Sequence, residues 1–404
     1  MKKKRIISAL LLISLVVTAS AQKKNESKNA APGGSTYLFT PVIELKATPV
    51  KDQANTGTCW SFATTSFMES ELLRMEKGEY DLSEMWIVRN NYIEKLRDNF
   101  SKQGKGNLTQ GSLSHDWILE FTENGIVPDE VYTGLNYSLP DHNHSELNSV
   151  ITTLGKVPVD SRRESDQYLK LIDATLDTYL GEMPASFTYK GVSYTPKSFA
   201  KSLGLNPADY VQITSFTHFP FYTQGLVPVP DNWRNINFYN VPVEELIEIM
   251  NYSLNNGYTV NWDGDVSERG FSHRNGVAII PEVENTAGYA SADKARLGKM
   301  SKEERTTEAY KFSQPFPEVA VTQAMRQETF ENKTTTDDHL MHITGIVKDQ
   351  NGTEYYITKN SWGADSNSSG GYLNMSVNYV KAKTIFVMVN KNAIPPGIKT
   401  KLGL

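Results

Sequence analysis

One cysteine stands among 404 residues, in the stretch Gln53-Ala-Asn-Thr-Gly-Thr-Cys59-Trp60-Ser61-Phe62-Ala63. A lone thiol is either core filler or a reagent, and its neighbours favour the reagent. Gly57 permits an unusual backbone just before it. After it, Trp60, Phe62, Ala63, Phe67, Met68, Leu72 and Met75 recur at helical spacing, which predicts a buried helix from Cys59 to about Glu76. A helix N-terminus favours the thiolate, the nucleophilic form. Gln53, six residues upstream, can turn its amide N–H to the same point and donate to an oxyanion beside the Cys59 N–H. Such a nucleophile needs a base, and the base needs an orienting group. His339 and His342 are the candidate bases; three apart on a strand, they point to opposite faces, so only one can face Cys59. Asp337 and Asp338 would hold a nearby imidazole in its charged form. Asn360, ahead of Ser361-Trp362-Gly363, offers an amide oxygen to fix the ring, with Trp362 as its shield from water.

Gln-x5-Cys-Trp-Ser-Phe-Ala, then a His before an apolar strand, then Asn-Ser-Trp-Gly, resembles the papain-like cysteine peptidases. The resemblance implies an α+β, two-lobed fold, with a helical lobe carrying the nucleophile and a β-rich lobe carrying His and Asn. It implies Cys59, His339, Asn360 and Gln53 as catalytic residues, His339 being chosen over His342 by its distance from Thr344-Gly345. In relatives a Gly-Gly pair hydrogen-bonds the substrate backbone; here the pair reads Gly111-Ser112, giving Gly111, Ser112 and Trp362 as the substrate-binding set. Arg326-x3-Phe330 before His339, and Asn-Val-Pro followed by a helix, a Gly and a strand, resemble the bleomycin hydrolase / aminopeptidase C branch. That branch implies removal of residues from peptide N-termini, a C-terminal tail lying in the cleft, and often a hexamer. The alternatives are an endopeptidase or dipeptidyl peptidase on the same fold, or a non-catalytic peptide-binding protein. No cofactor or metal is called for: there is no His-Glu-x-x-His and no second Cys. Asp141, His142 and His144 read as a solvated loop.

The N-terminal Lys2, Lys3, Lys4 and Arg5, the apolar run Ile6 to Val17 and Ala19-Ser20-Ala21 read as a signal peptide over 1–21. The expectation is an exported protein, periplasmic or extracellular, without a membrane anchor once the leader is cut. Losing four basic residues and no acidic ones takes the net charge from −5 to −9. That balance argues against nucleic acid or an anionic membrane as partner and leaves peptides as the substrates.

The remaining chain divides by pattern into a flexible linker at 22–37, the helical lobe at 38–150, an insertion at 151–325, the β-rich lobe at 326–390 and the tail at 391–404. Ser83 caps a helix that runs to Leu96, and Thr195 with Pro196 opens another. Ser165 to Leu180 and Val243 to Leu254 have helical periods, while Asn351-Gly352 marks a hairpin between Val347 and Thr358. Pro395-Pro396-Gly397 in the tail suggests an extended arm.

Overall fold

A computed structural model describes residues 29–30, 37–136 and 140–404. The expected leader, 1–21, lies outside them, as does most of the expected linker. The helices that matter here are α1 (Cys59–Arg74), α2 (Glu84–Ser101), α3 (Ser114–Asn124), α4 (Val243–Asn255), α5 (Val377–Lys383) and α6 (Pro396–Leu402). The strands are β1 (Leu38–Glu44), β2 (Tyr210–Thr214), β3 (Asn237–Asn240), β4 (Val260–Gly264), β5 (His339–Lys348), β6 (Glu354–Lys359), β7 (Tyr372–Ser376) and β8 (Thr384–Asn390). Their order across the sheet is β3-β2-β8-β4-β5-β6-β7, and β1 pairs antiparallel with the second half of β5. Helices packed on a mixed sheet give the expected α+β class.

α1 is buried along its whole length from Cys59 to Leu72. It lies between α2, α3 and β5, so its polar residues need partners inside the protein. They have them. Ser61 donates to the Glu84 carbonyl at 2.9 Å, Thr65 accepts from the Trp117 indole at 2.9 Å, and Thr64 accepts from Asn261 on β4 at 3.0 Å. These bonds lock the helix that begins at Cys59 to both lobes.

The local signals for capping operate as written in the chain. Ser83 Oγ accepts from Trp86 N at 3.0 Å at the start of α2, and Thr195 caps the helix Pro196–Leu203. Gly352, with φ 84°, turns β5 into β6. The stretch between 145 and 318 supplies two kinds of element. Helices such as Asp166–Leu180 pack against the helical side, while β2, β3 and β4 enter the main sheet.

The tail departs from expectation. Instead of an extended arm in a cleft it forms α6, with Pro396 as a first-turn residue whose missing N–H costs nothing there. Ile398 and Leu402 bury in the cluster beneath α4, together with Trp262, Met341 and Val387. Lys401 reaches Glu245 at 2.7 Å. Those sheet residues face away from α1, so the tail is docked behind the sheet rather than beside Cys59. His144 also departs from a solvated loop. It is 2% exposed, and its Nδ1 lies 3.3 Å from the Tyr92 hydroxyl.

Candidate active site

Three backbone segments meet at the start of α1. The Lys51–Gly57 turn is stitched to the Asn360 segment: Gln53 N donates to Ser361 O at 2.8 Å, and Gly363 N to Lys51 O at 3.1 Å. The turn tightens at Ala54, whose φ is 48° and whose N–H donates to Asp52 Oδ1 at 2.7 Å. Gln53 is thereby fixed from both ends of its amide. Its Oε1 accepts from Ser361 Oγ at 2.6 Å and its Nε2 donates to Thr56 O at 2.8 Å. One amide hydrogen of Gln53 remains for a ligand, so this group is orientated in advance.

β5 brings His339 in at its first residue, opposite Gly264 on β4. That position needs glycine, since a Cβ would sit 2.3 Å from the Trp262 ring and 2.4 Å from Lys383 O. His339 Nε2 and Asn360 Oδ1 are 2.7 Å apart, so Nε2 carries the hydrogen and donates to the amide oxygen. The same oxygen accepts from Ser361 N at 2.8 Å. Trp362 lies against the imidazole with ring centroids 4.9 Å apart and planes at 31°.

The expected charges are altered by burial. Cys59 is only 9% exposed, and burial pushes its thiol up to about 12 although the Leu340 backbone N–H reaches the sulfur. Burial likewise pushes His339 down to about 4, against the lifting effect of the Asn360 bond. Desolvation therefore outweighs the helix N-terminus at Cys59 and the Asn360 bond at His339, and a charged pair needs mutual compensation or entry of a polar ligand. Asp338 raises the His339 pKa as expected, but only weakly against burial, and its carboxylate is held by Val266 N at 3.2 Å and Ser267 N at 3.1 Å. His342 is elsewhere, fully buried with Nδ1 2.9 Å from Ser66 Oγ.

The Gly111-Ser112 pair is covered by the loop 227–235. Asp231 lies so close over Gly111 that a Cβ there would be 2.0 Å from Oδ2. The Gly111 carbonyl accepts from Lys95, and Ser112 Oγ accepts from both the Trp233 indole and Asn91 at 2.8 Å. Sequence reasoning missed two supports of the site. Ser361, inside the Asn-Ser-Trp-Gly motif, was a readable signal. His273 was not: its Nδ1 accepts from Asn360 Nδ2 at 3.3 Å and its ring meets Trp362 edge-on, but no local pattern ties it to residues far along the chain.

The model of the papain family cysteine protease matches residues 43–226, and that of the peptidase C1-like family residues 284–403. Cysteine proteinase 2 of Entamoeba histolytica is 30% identical over 155 residues, 38% of this chain and 46% of its own length, so this match spans less than half of that relative. Aminopeptidase C of Lactobacillus helveticus is 22% identical over 88% of this chain and 82% of its own. Cysteine proteinase 1, mitochondrial, of Saccharomyces cerevisiae is 22% identical over 90% of this chain and 79% of its own. Among solved structures, PepW from Lactobacillus rhamnosis superposes with a TM-score of 0.64 at 19% identity, covering 90% of this chain and 84% of that one. These matches correct the expected location. A relative aligned along nearly the whole chain is a mitochondrial protein, which overturns the exported, periplasmic or extracellular assignment drawn from the first 21 residues. The fold, the two matching family models and the full-length relatives agree: the chain resembles the papain-like cysteine peptidases and, along most of its length, their bleomycin hydrolase / aminopeptidase C branch.

Proposed function

We propose that this peptidase works by a Cys-His-Asn mechanism and acts as an aminopeptidase, releasing residues from the N-termini of peptides. The observation that carries the mechanism is the 2.7 Å bond from His339 Nε2 to Asn360 Oδ1 beneath Trp362. It leaves Nδ1 as the nitrogen that exchanges a proton with the thiol. Cys59 Sγ gives its proton to His339 and attacks the scissile carbonyl. The oxyanion is held by the Cys59 N–H and the remaining amide hydrogen of Gln53. His339 then protonates the departing amine, leaving a thioester on Cys59. Water, deprotonated by the same imidazole, attacks the thioester to release the acid and restore the thiol.

The full-length likeness to an aminopeptidase C supports exopeptidase action. Self-association into a homo-oligomer belongs to the same reading and is measured by sedimentation. Digestion of a mixed peptide library tests the activity. Stepwise loss of N-terminal residues is expected, with Cys59→Ala slower by on the order of 10⁴-fold or more. Cleavage at internal bonds, or two residues at a time, would replace the aminopeptidase by an endopeptidase or dipeptidyl peptidase. No cleavage dependent on Cys59 would leave a peptide-binding protein.

A further inference from the structure

Beside the candidate nucleophile lies a set of carboxylates that this mechanism does not use. Asp263 on β4 stands directly across from Leu340 on β5, and the Leu340 N–H is the one that reaches Cys59 Sγ. Asp263 also pairs with Phe386 on β8. Paired residues on neighbouring strands share a face. Leu340 and Phe386 both face the core under α1, so the Asp263 carboxyl is directed to that side, while Trp262 next to it faces α4. Asp337, two residues before His339, brings its carboxyl against that of Asp263. Asp231 arrives from the loop across Gly111, and its backbone N–H donates to Asp337.

This group has a floor and a mouth. Asp263 is 0% exposed, whereas Asp337 and Asp231 are partly open to solvent. Apart from the carboxyl–carboxyl hydrogen bond between Asp263 and Asp337, both oxygens of Asp263 and Oδ2 of Asp337 are buried without a hydrogen-bond donor from the described residues. Lys95 is spent on the Thr109 and Gly111 carbonyls and attracts Asp231. A buried carboxylate without donor or counter-charge is costly, and native structures keep one where something else completes it. Burial pushes both carboxyls above the ordinary carboxylate range, which favours their protonated forms. An arriving ammonium displaces a proton to water and takes its place.

We propose that Asp263 and Asp337, with Asp231 at the rim, form a subsite beside Cys59 for a substrate ammonium. The proposal rests on the peptidase reading above and gives it a chemical basis for choosing N-termini. The α-nitrogen of a peptide is two bonds from its own carbonyl carbon. A carbonyl in attack position over Cys59 therefore carries that nitrogen to within about 6 Å of the sulfur. Asp263 stands one strand spacing, about 5 Å, from the residue that touches this sulfur. An α-ammonium on the reacting residue and a lysine ammonium on the residue before it present the same chemistry to these carboxylates.

Three fluorogenic amides with one leaving group separate those sources: leucine with a free amino group, N-acetyl-leucine, and N-acetyl-lysyl-leucine. kcat/KM is measured for the wild type and for Asp263→Asn, Asp337→Asn and Asp231→Asn. Each protein is normalised by the fraction of Cys59 that a thiol-directed inhibitor titrates, so misfolded material drops out. The wild type is expected to prefer an ammonium-bearing substrate over N-acetyl-leucine. Asp263→Asn and Asp337→Asn should each cut that preference by about tenfold or more, as loss of a charge-assisted bond does. A fall confined to free leucine assigns the subsite to the α-ammonium; a fall confined to the lysyl substrate assigns it to the side chain. Preferences unchanged in both variants, with normal titration, overturn the subsite and leave the peptidase standing. A wild type that titrates at Cys59 but hydrolyses none of the three overturns the peptidase reading itself.

Discussion

The two faces of the central sheet are built from the same strands on opposite principles. Behind it, toward α4 and α6, the contacts are hydrocarbon: Val260, Trp262, Met341, Ile343 and Val387 meet Ile398 and Leu402. In front, toward α1, the alternate positions are polar. Asn261 bonds Thr64 and Ser114, His342 bonds Ser66, and Lys359 donates to Ser66 at 2.7 Å and Thr48 at 3.2 Å. Shape alone specifies the rear face, and small errors there relax by repacking. The front face is specified by direction, since each buried donor must meet one acceptor. That is the property a site needs if a nucleophile, a base and an amide are to be held in register.

The largest expected effect sharpens this contrast. Gln53→Ala should lower kcat by ~10²–10³ while leaving the melting temperature near that of the wild type. Ser361→Ala should reproduce part of the loss, because Ser361 only aims the amide. Equal losses in stability and activity would mean that Gln53 acts as a strut of the turn.

The converse change is Leu402→Ala on the rear face. It should cost about 2–3 kcal/mol in denaturant unfolding, the lower end for a buried leucine at the edge of a cluster. Turnover per titrated Cys59 should stay the same, and so should the cleavage pattern. A switch from terminal to internal cleavage would restore the tail to the cleft and break the comparison.

What could be read in advance follows the same division. Gln53, Cys59, His339 and Asn360 could be singled out because each sits in a short motif, and the caps at Ser83 and Thr195 were legible because they are local. The tail misled because Pro395-Pro396 serves an extended arm and a helix start equally well, and only the apolar pocket under α4 decides between them. The carboxylates at 231, 263 and 337 come from three segments joined by strand register and one loop crossing, which no local pattern announces.

The front face also carries a pH signature. Burial, then the charge of Lys359, holds His342 well below the ordinary imidazole range. Its unfolded value is about 6.5, so its contribution to stability is complete above that pH and is lost as pH falls. His339, at about 4, acts in the same sense. Buried carboxyls act oppositely. Glu84 and Glu120, each pushed up to about 8 by burial, stabilise most at low pH and least once pH passes 8. The clean measurement is thus a difference. Between pH 7.5 and 5 the wild type should lose about 2 kcal/mol relative to His342→Gln. Parallel stability curves for the two proteins would show that His342 gains its proton without cost in the fold.

The smallest effect expected is the one that tests how far direction propagates. Asn360 can orient His339 only if its oxygen, not its nitrogen, faces the ring. Two bonds fix that choice at the oxygen, from His339 Nε2 and Ser361 N, and His273 fixes it at the nitrogen. To accept from Asn360, His273 Nδ1 must be bare, so its hydrogen sits on Nε2 and is donated to Ser366 Oγ at 2.8 Å. His273→Ala removes the acceptor and frees the amide to rotate. The expected result is about a tenfold fall in kcat, roughly 1.4 kcal/mol, with KM unchanged. His273→Gln, whose carbonyl can take the same bond, should recover most of it. A rise in KM instead, or failure of Gln to rescue where the fold is intact, would make His273 a packing partner of Trp362 and confine the directional network to the residues that the motif already contained.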